Sequence, residues 1–320
     1  MTDREHLARA LELAERGRSR TVPNPVVGAV LVRDGAVVGE GWHERAGGPH
    51  AEIVALDAAG ESARGATLFV SLEPCAHHGR TPPCADALIA AGVARVVAAV
   101  GDPNQKTEGA GFDRLRAAGV EVELPGGELE WQARVQNEAF RVWAAEGRPF
   151  VVYKAALTLD GRVTVPGSRW VSGEESRRRV HELRAVADAV AVGIGTVRAD
   201  DPRLTARGVD ADRQPRRLAF GRGPLPDGSE LELVSGPLED ELARLAEEGV
   251  QSLLLEGGPT LATSFLGAGL VDKLLLFVAP TISGSGPRFV GDLAGPLDLV
   301  HQTAERVGDD VLLTAYLREP

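Results

Sequence analysis

Gly48-Pro49-His50-Ala51-Glu52 and Pro74-Cys75-Ala76-His77-His78-Gly79-Arg80-Thr81-Pro82-Pro83-Cys84 bracket a segment long enough for one helix and one strand. A nitrogen ligand beside a carboxylate, followed by two thiols, is the donor set that a catalytic zinc with an open fourth position requires. Three protein ligands hold such a metal and water takes the remaining place. Zinc lowers that water's pKa to about 7, and a carboxylate that does not bind the metal can then carry protons. His50, Cys75 and Cys84 are therefore the candidate ligands, and Glu52 the candidate general acid/base. The alternatives are a pair of buried thiols, or a structural zinc with His77 or His78 as fourth ligand. A structural site closes its shell with four protein ligands and has no need of Glu two residues after His.

Working outward, 50–59 suits a helix, with Ile53, Ala55 and Leu56 available for packing and Gly60 beyond its end. His50 and Glu52 fall in its first turn, where the positive helix end favours a carboxylate. Residues 67–72 read as a buried strand that delivers Cys75, and Pro82-Pro83 leads into a helix at 84–91 closed by Gly92. Ligands at a strand's carboxyl end and at helix starts suit an open α/β sheet. Upstream, an amphipathic helix is expected over 3–17 and buried strands over 26–32 and 36–41, joined by the hairpin turn Asp34-Gly35. Thr21-Val22-Pro23-Asn24-Pro25 is a rigid turn between them, in which Asn24 reads first as a turn former. Downstream come a strand at 95–100, the loop Gly101-Asp102-Pro103-Asn104, a helix near 110–118 and one long helix over 128–146.

Gly147-Arg148-Pro149 marks a boundary, after which the pattern begins afresh with a strand at 150–157. The turn Asp160-Gly161, a helix at 173–186 and an apolar strand at 188–194 follow. Glycines and prolines at 208–228 surround a short strand at 216–220. A helix at 239–247, strands at 250–255, 273–279 and 311–317, and a helix at 259–268 complete the pattern. Glu256-Gly257-Gly258-Pro259-Thr260 sits at a strand-to-helix turn, where it reads equally as a phosphate cradle or as a tight turn with proline at the first helical position. It lacks Gly-x-Gly-x-x-Gly, which argues against a standard dinucleotide fold. Residues 195–207 read as a loop carrying three arginines and two acids; Arg184 and Arg207 could grip a phosphate, or the loop could simply be solvated.

At 320 residues the chain is long for a single core, and a net charge of −11 argues against a broad nucleic-acid-binding face. A small molecule is the better partner. No run of about 18 apolar residues exists and the charged start does not resemble a secretory signal, so no membrane contact and a cytoplasmic location are expected.

His-x-Glu followed by Pro-Cys and a second Cys resembles the zinc nucleobase-deaminase signature, here with a wider gap between the thiols. That gap suggests a substrate-contacting loop. Together with Pro23-Asn24-Pro25-x-Val-Gly28 and Gly101-Asp102-Pro103-Asn104, these motifs resemble the deaminase half of the bifunctional riboflavin-biosynthesis deaminase/reductase family. Thr158-Leu159-Asp160-Gly161-Arg162, residues 195–207 and Glu256-Gly257-Gly258-Pro259-Thr260-Leu261-Ala262 resemble its reductase half, in the same order. Two departures are visible: Gln105-Lys106-Thr107 stands where the family usually has Pro, and the segment around Phe220-Gly221-Arg222 is short.

The resemblance implies an α/β protein with a cytidine-deaminase-like α/β/α domain over 1–147 and a dihydrofolate-reductase-like domain over 148–320. It implies zinc-dependent deamination of a diaminopyrimidinone bearing a phosphoribosylamino group, then NADPH-dependent reduction of the ribosyl group to ribityl. It places Asn24, His43 and Arg80 against the first substrate, with Arg80 available to its phosphate. Ala156, Trp170, Thr196, Asp200, Gly258, Pro259, Thr260, Leu261, Ala262, Thr263 and Ser264 match NADPH positions. Ser168, Arg184, Leu204, Arg207 and Glu256 match substrate positions in the second step, for which Lys154 and Asp200 are the candidate proton-handling pair. A homo-oligomer, dimer or tetramer, is expected. The rival readings are a zinc deaminase for another base with an inactive second domain, and a non-catalytic nucleotide-binding module with structural zinc.

Overall fold

The computed structural model describes residues 1–76, 83–104 and 108–320, and the chain divides into two units, Met1–Glu146 and Gly147–Pro320. In the first, the elements run α1 (Asp3–Glu15), β1 (Gly28–Arg33), β2 (Ala36–Trp42), α2 (Ala51–Ala59), β3 (Thr67–Val70), α3 (Cys84–Ala91), β4 (Arg95–Ala98), α4 (Ala110–Ala117), β5 (Glu121–Glu123), α5 (Gly127–Gln136) and α6 (Glu138–Glu146). The sheet order is β2-β1-β3-β4-β5, with β1 antiparallel to both neighbours and the β3-β4-β5 side parallel.

Period-two alternation sends successive strand residues to opposite faces, and both faces are apolar here. Ala29, Leu31, Leu68, Val70, Val96 and Ala98 meet α2, α3 and α4 on one side. Val30, Phe69, Val97 and Ala99 meet α1 and α5 on the other. The result is a three-layer sandwich, with each fully buried large side chain contributing about 1.5–3 kcal/mol. Close approach of α2 to the sheet depends on Gly39 and Gly41, since a Cβ at Gly41 would lie 2.4 Å from Ala51 O.

In the second unit, β6 (Phe150–Thr158), α7 (Glu174–Val186), β7 (Ala189–Gly193), α8 (Ile194–Asp200), β8 (Arg216–Phe220), β9 (Glu232–Val234), α9 (Leu238–Glu247), β10 (Ser252–Leu255), α10 (Pro259–Gly267), β11 (Lys273–Ala279), β12 (Val300–Val307) and β13 (Asp310–Tyr316) follow. An eight-stranded sheet in the order β12-β13-β11-β6-β10-β7-β8-β9 results. Strands β11 to β9 are parallel and β13 and β12 are antiparallel additions. Val151, Tyr153, Ala155 and Leu157 pack toward α9 and α10. The opposite face of β6 carries Val152 and Ala156, which pack with Val180 of α7 and with Phe277.

Several expectations are corrected. The helix anticipated over 128–146 is two helices broken at Asn137, because that side chain is needed elsewhere: its Oδ1 accepts from Val26 N and its Nδ2 donates to Val26 O, each at 2.9 Å. Residues 194–200, read as loop, form α8. Strands β5, β9 and β12 were not anticipated, and β12 is exposed along nearly its whole length.

Candidate metal centre and second-unit cluster

Three elements converge on the first site. His50 occupies the N-cap of α2 with no side-chain capping bond, which leaves its ring free to turn away from the helix. Cys75 follows the carboxyl end of β3, and Cys84 opens α3. Their ligand atoms all lie within 4.8 Å of one another. His50 Nδ1 is 3.2 Å from Cys84 Sγ and 3.7 Å from Cys75 Sγ. A tetrahedral zinc with Zn–S of about 2.3 Å and Zn–N of about 2.05 Å puts nitrogen and sulfur about 3.5 Å apart. The observed distances straddle that value.

The three groups are also coupled electrostatically. The Cys84 thiol lowers the Cys75 pKa, assisted by His50 and by the Cys84 N–H, which donates to Cys75 Sγ at 3.3 Å; burial opposes them. Cys84 is pushed upward by its hydrogen bond with Cys75 and then by burial. His50 is raised by its bond to Cys75, against its own burial. Cys75 is thus the more readily ionised of the two thiols.

Glu52 lies one step into α2, 3% exposed. Burial pushes its carboxyl up to about 7, with His50 opposing. A carboxyl in that range can both accept and return a proton at neutral pH. His43 Nδ1 donates to Pro49 O at 2.9 Å, so Nε2 is the acceptor for the Asn24 amide at 3.1 Å. Burial lowers the His43 pKa, with the bond to Pro49 opposing, and the ring stays neutral. Asn24, His43, His50, Glu52, Asp102 and Asn104 line one cavity of about 470 Å³. Arg80, His77 and His78 lie outside the described residues.

Glu73 was missed as an individual residue in the sequence. Its buried carboxylate accepts from Asp102 N at 3.0 Å, Gly109 N at 3.1 Å, Gly111 N at 2.9 Å and Phe112 N at 3.3 Å. The signal available was an acid within an otherwise apolar strand end, Ser71-Leu72-Glu73-Pro74.

In the second unit a charged cluster forms at the carboxyl ends of the parallel strands. Arg184, from α7, forks onto Glu256 at 2.6 and 3.0 Å, and Lys154 Nζ reaches the same carboxylate at 3.3 Å. Burial would raise the Glu256 pKa, but Lys154 and Arg184 outweigh it and hold the carboxyl at about 2. Beyond β10, Gly258 caps α10 without a side-chain bond, with Pro259 at the first turn. Beyond β7, Gly193 caps α8 in the same way, and a Cβ on Gly258 would lie 3.6 Å from Thr196 Oγ1. Two helix starts without a side-chain cap thus flank neighbouring strands β10 and β7, a setting that suits phosphate groups.

The other residues singled out are placed as follows. Thr263 Oγ1 donates to Pro259 O and accepts from Gly291 N, Ser264 Oγ donates to Thr260 O, Leu261 is half-buried and Ala262 buried. Ala156 shares the Lys154 face of β6. Ser168 Oγ donates to Trp170 O, and the exposed Trp170 ring has Arg169 and Arg177 each 5.1 Å from its centroid. Leu204 is buried with φ 52°, and the exposed Arg207 donates to Thr205 Oγ1 at 3.1 Å. Asp200 is exposed at the end of α8, and no hydrogen bond or ion pair joins it to Lys154 among the described residues.

Residues 149–313 match the family described as RibD C-terminal domain, and residues 1–100 match the cytidine and deoxycytidylate deaminase zinc-binding region. Riboflavin biosynthesis protein RibD of Aquifex aeolicus is 40% identical, the match covering 97% of each chain. A solved structure of Acinetobacter baumannii RibD superposes with a TM-score of 0.87 at 38% identity over 98% of both chains. A Thermotoga maritima structure, described as a diaminohydroxyphosphoribosylaminopyrimidine deaminase/5-amino-6-(5-phosphoribosylamino)uracil reductase, gives 0.82 at 34% identity, again over 98% of both.

Proposed function

The chain belongs to the RibD family of bifunctional riboflavin-biosynthesis deaminase/reductases, and on that premise we propose that it carries out two successive steps on one phosphorylated pyrimidine. The first is hydrolytic deamination of 2,5-diamino-6-(5-phosphoribosylamino)pyrimidin-4-one in the first unit, read as the deaminase domain over 1–147. The second is reduction of the ribosyl group to ribityl in the second unit, read as the reductase domain over 148–320. The observation that carries the proposal is the convergence of His50, Cys75 and Cys84 beside buried Glu52 in a chain whose other unit matches the RibD C-terminal domain.

In the first step His50, Cys75 and Cys84 would hold zinc, which when bound supplies a water acidic enough to lose its proton near pH 7. Glu52, buried beside those ligands with its carboxyl raised by burial, would take a proton from water and return it to ring nitrogen and leaving group. Oxygen replaces the amino group and ammonia leaves. Neutral His43 fixes the Asn24 amide, so that Asn24 presents its remaining hydrogen-bonding groups to the ring. Arg80, which lies outside the described residues, is assigned to the phosphate by family position alone.

In the second step NADPH, when bound, would supply a hydride to the anomeric carbon. Thr196, Asp200, Ala156, Trp170 and residues 258–264 are assigned to that cofactor, supported by the two uncapped helix starts at β7 and β10. Lys154 assists opening of the sugar, held by Glu256, which Arg184 orients. Ser168, Leu204 and Arg207 are assigned to substrate with Arg184 and Glu256. We place the protein in the cytoplasm, where its two ligand thiols stay reduced; no helix among the described residues is long and apolar enough to cross a membrane. The test is Glu52→Gln, which should retain zinc and lose ammonia release by about 10²–10⁴-fold. Unimpaired turnover with zinc bound would sink the assignment.

A further inference from the structure

The peptide unit joining Gly101 to Asp102 is held from both ends by opposite charges. Glu73 Oε2 accepts its N–H at 3.0 Å, and Arg141 of α6 donates from Nη1 to its carbonyl oxygen at 3.2 Å. Peptide dipoles run from oxygen to N–H, so a cation at the oxygen and an anion at the hydrogen both favour one orientation of the plane. The two side chains are not ordinary surface partners. Glu73 is 6% exposed, and Arg141 Nε is buried with no hydrogen-bond partner among the described residues. Burial, followed by the like charge of Arg134, lowers the Arg141 pKa to about 10. Burying a guanidinium costs stability; Asp102, Glu130 and Glu108 offset part of that cost, and Nη1 is directed at the Gly101 carbonyl.

What the clamp controls lies on the cavity wall. Asp102 and Asn104 line the same cavity as His50, Cys75 and Glu52, and Asn104 N donates to Asp102 Oδ1 at 2.9 Å. The other Glu73 oxygen takes Gly111 N and Phe112 N, tying the start of α4 to the strand end that carries Cys75. Phe140, beside Arg141 on α6, lines the cavity too.

We propose that Glu73 and Arg141 are positioning residues for deamination, clamping the Gly101–Asp102 peptide so that Asp102 and Asn104 are fixed against the pyrimidine. The inference rests on the reading of this cavity as the pyrimidine site. The clamp sets ground-state fit, while proton transfer belongs to Glu52. Loss of either side lets the Asp102–Asn104 wall reorient without removing a metal ligand.

The test uses the full-length zinc-loaded enzyme and the diaminopyrimidinone phosphoriboside. Arg141→Met and Glu73→Gln should each raise KM about 10- to 100-fold with kcat much less affected and zinc at one per chain. The double variant should cost less than the product of the two single effects, because both act on one peptide. Arg141→Lys, which keeps a donor for the Gly101 oxygen, should recover most of the affinity. Amide exchange at Asp102 should quicken in Glu73→Gln even without substrate. The inference is overturned if KM is unchanged in Arg141→Met, if the two effects multiply independently, or if activity falls only in step with zinc content. Failure of the wild-type enzyme to deaminate this pyrimidine would instead remove the functional reading beneath it, and the inference with it.

Discussion

Replacing Glu256 with glutamine removes the carboxylate that Lys154 and Arg184 share. A carboxyl held at about 2 rather than 4.5 contributes about 3 kcal/mol to stability at neutral pH. Its folded-state pKa is the lower of the two, so this stabilisation is complete well above pH 4.5 and is lost as the pH falls toward 2. About three-fifths of it is gone at pH 3. In Glu256→Gln the two cations remain, with side chains only 14% and 13% exposed, and breaking a buried pair in this way costs about 3–5 kcal/mol. The assay is urea unfolding at pH 7 and pH 3, read from hydrogen exchange in β6 and β10. The wild type should lose about 2 kcal/mol more than the variant between the two pH values. Equal pH dependence in both proteins, or a variant as stable as wild type at pH 7, would refute the reasoning.

Three further outcomes are expected. Lys154→Met should slow the NADPH-dependent step by about 10²–10⁴-fold while ammonia release continues, as followed by cofactor absorbance; a full-rate reduction removes the role given to Lys154. Stripping zinc with a chelator should abolish deamination, restore it on zinc return and leave reduction of the already deaminated pyrimidine intact. Gly111→Ala places a methyl 1.9 Å from Pro74 O and should destabilise the first unit by about 1–3 kcal/mol, measured by chemical denaturation; an unchanged midpoint contradicts the close approach.

The sequence revealed those features that depend on local spacing. His50, Glu52, Cys75 and Cys84 were readable because prolines and glycines fix where the helices and strands begin, and zinc chemistry then restricts the donor types. Long-range partners were not readable. Glu73 acquires its role from amides 29 to 39 residues away, and the break at Asn137 is explained by a partner 111 residues distant. Strand β12 was invisible because its residues are exposed on both faces, which erases the alternation that marks a strand. Glu256 looked like part of a glycine turn, and only the fold brings Lys154 and Arg184, 102 and 72 residues away, onto its carboxylate.

The proposed function requires one chain to perform both reactions in order. Purified protein supplied with the diaminopyrimidinone phosphoriboside should release ammonia with or without NADPH, and should oxidise NADPH only after ammonia release has begun. Cofactor oxidation that precedes deamination, or ammonia release with no subsequent NADPH oxidation, would contradict the account.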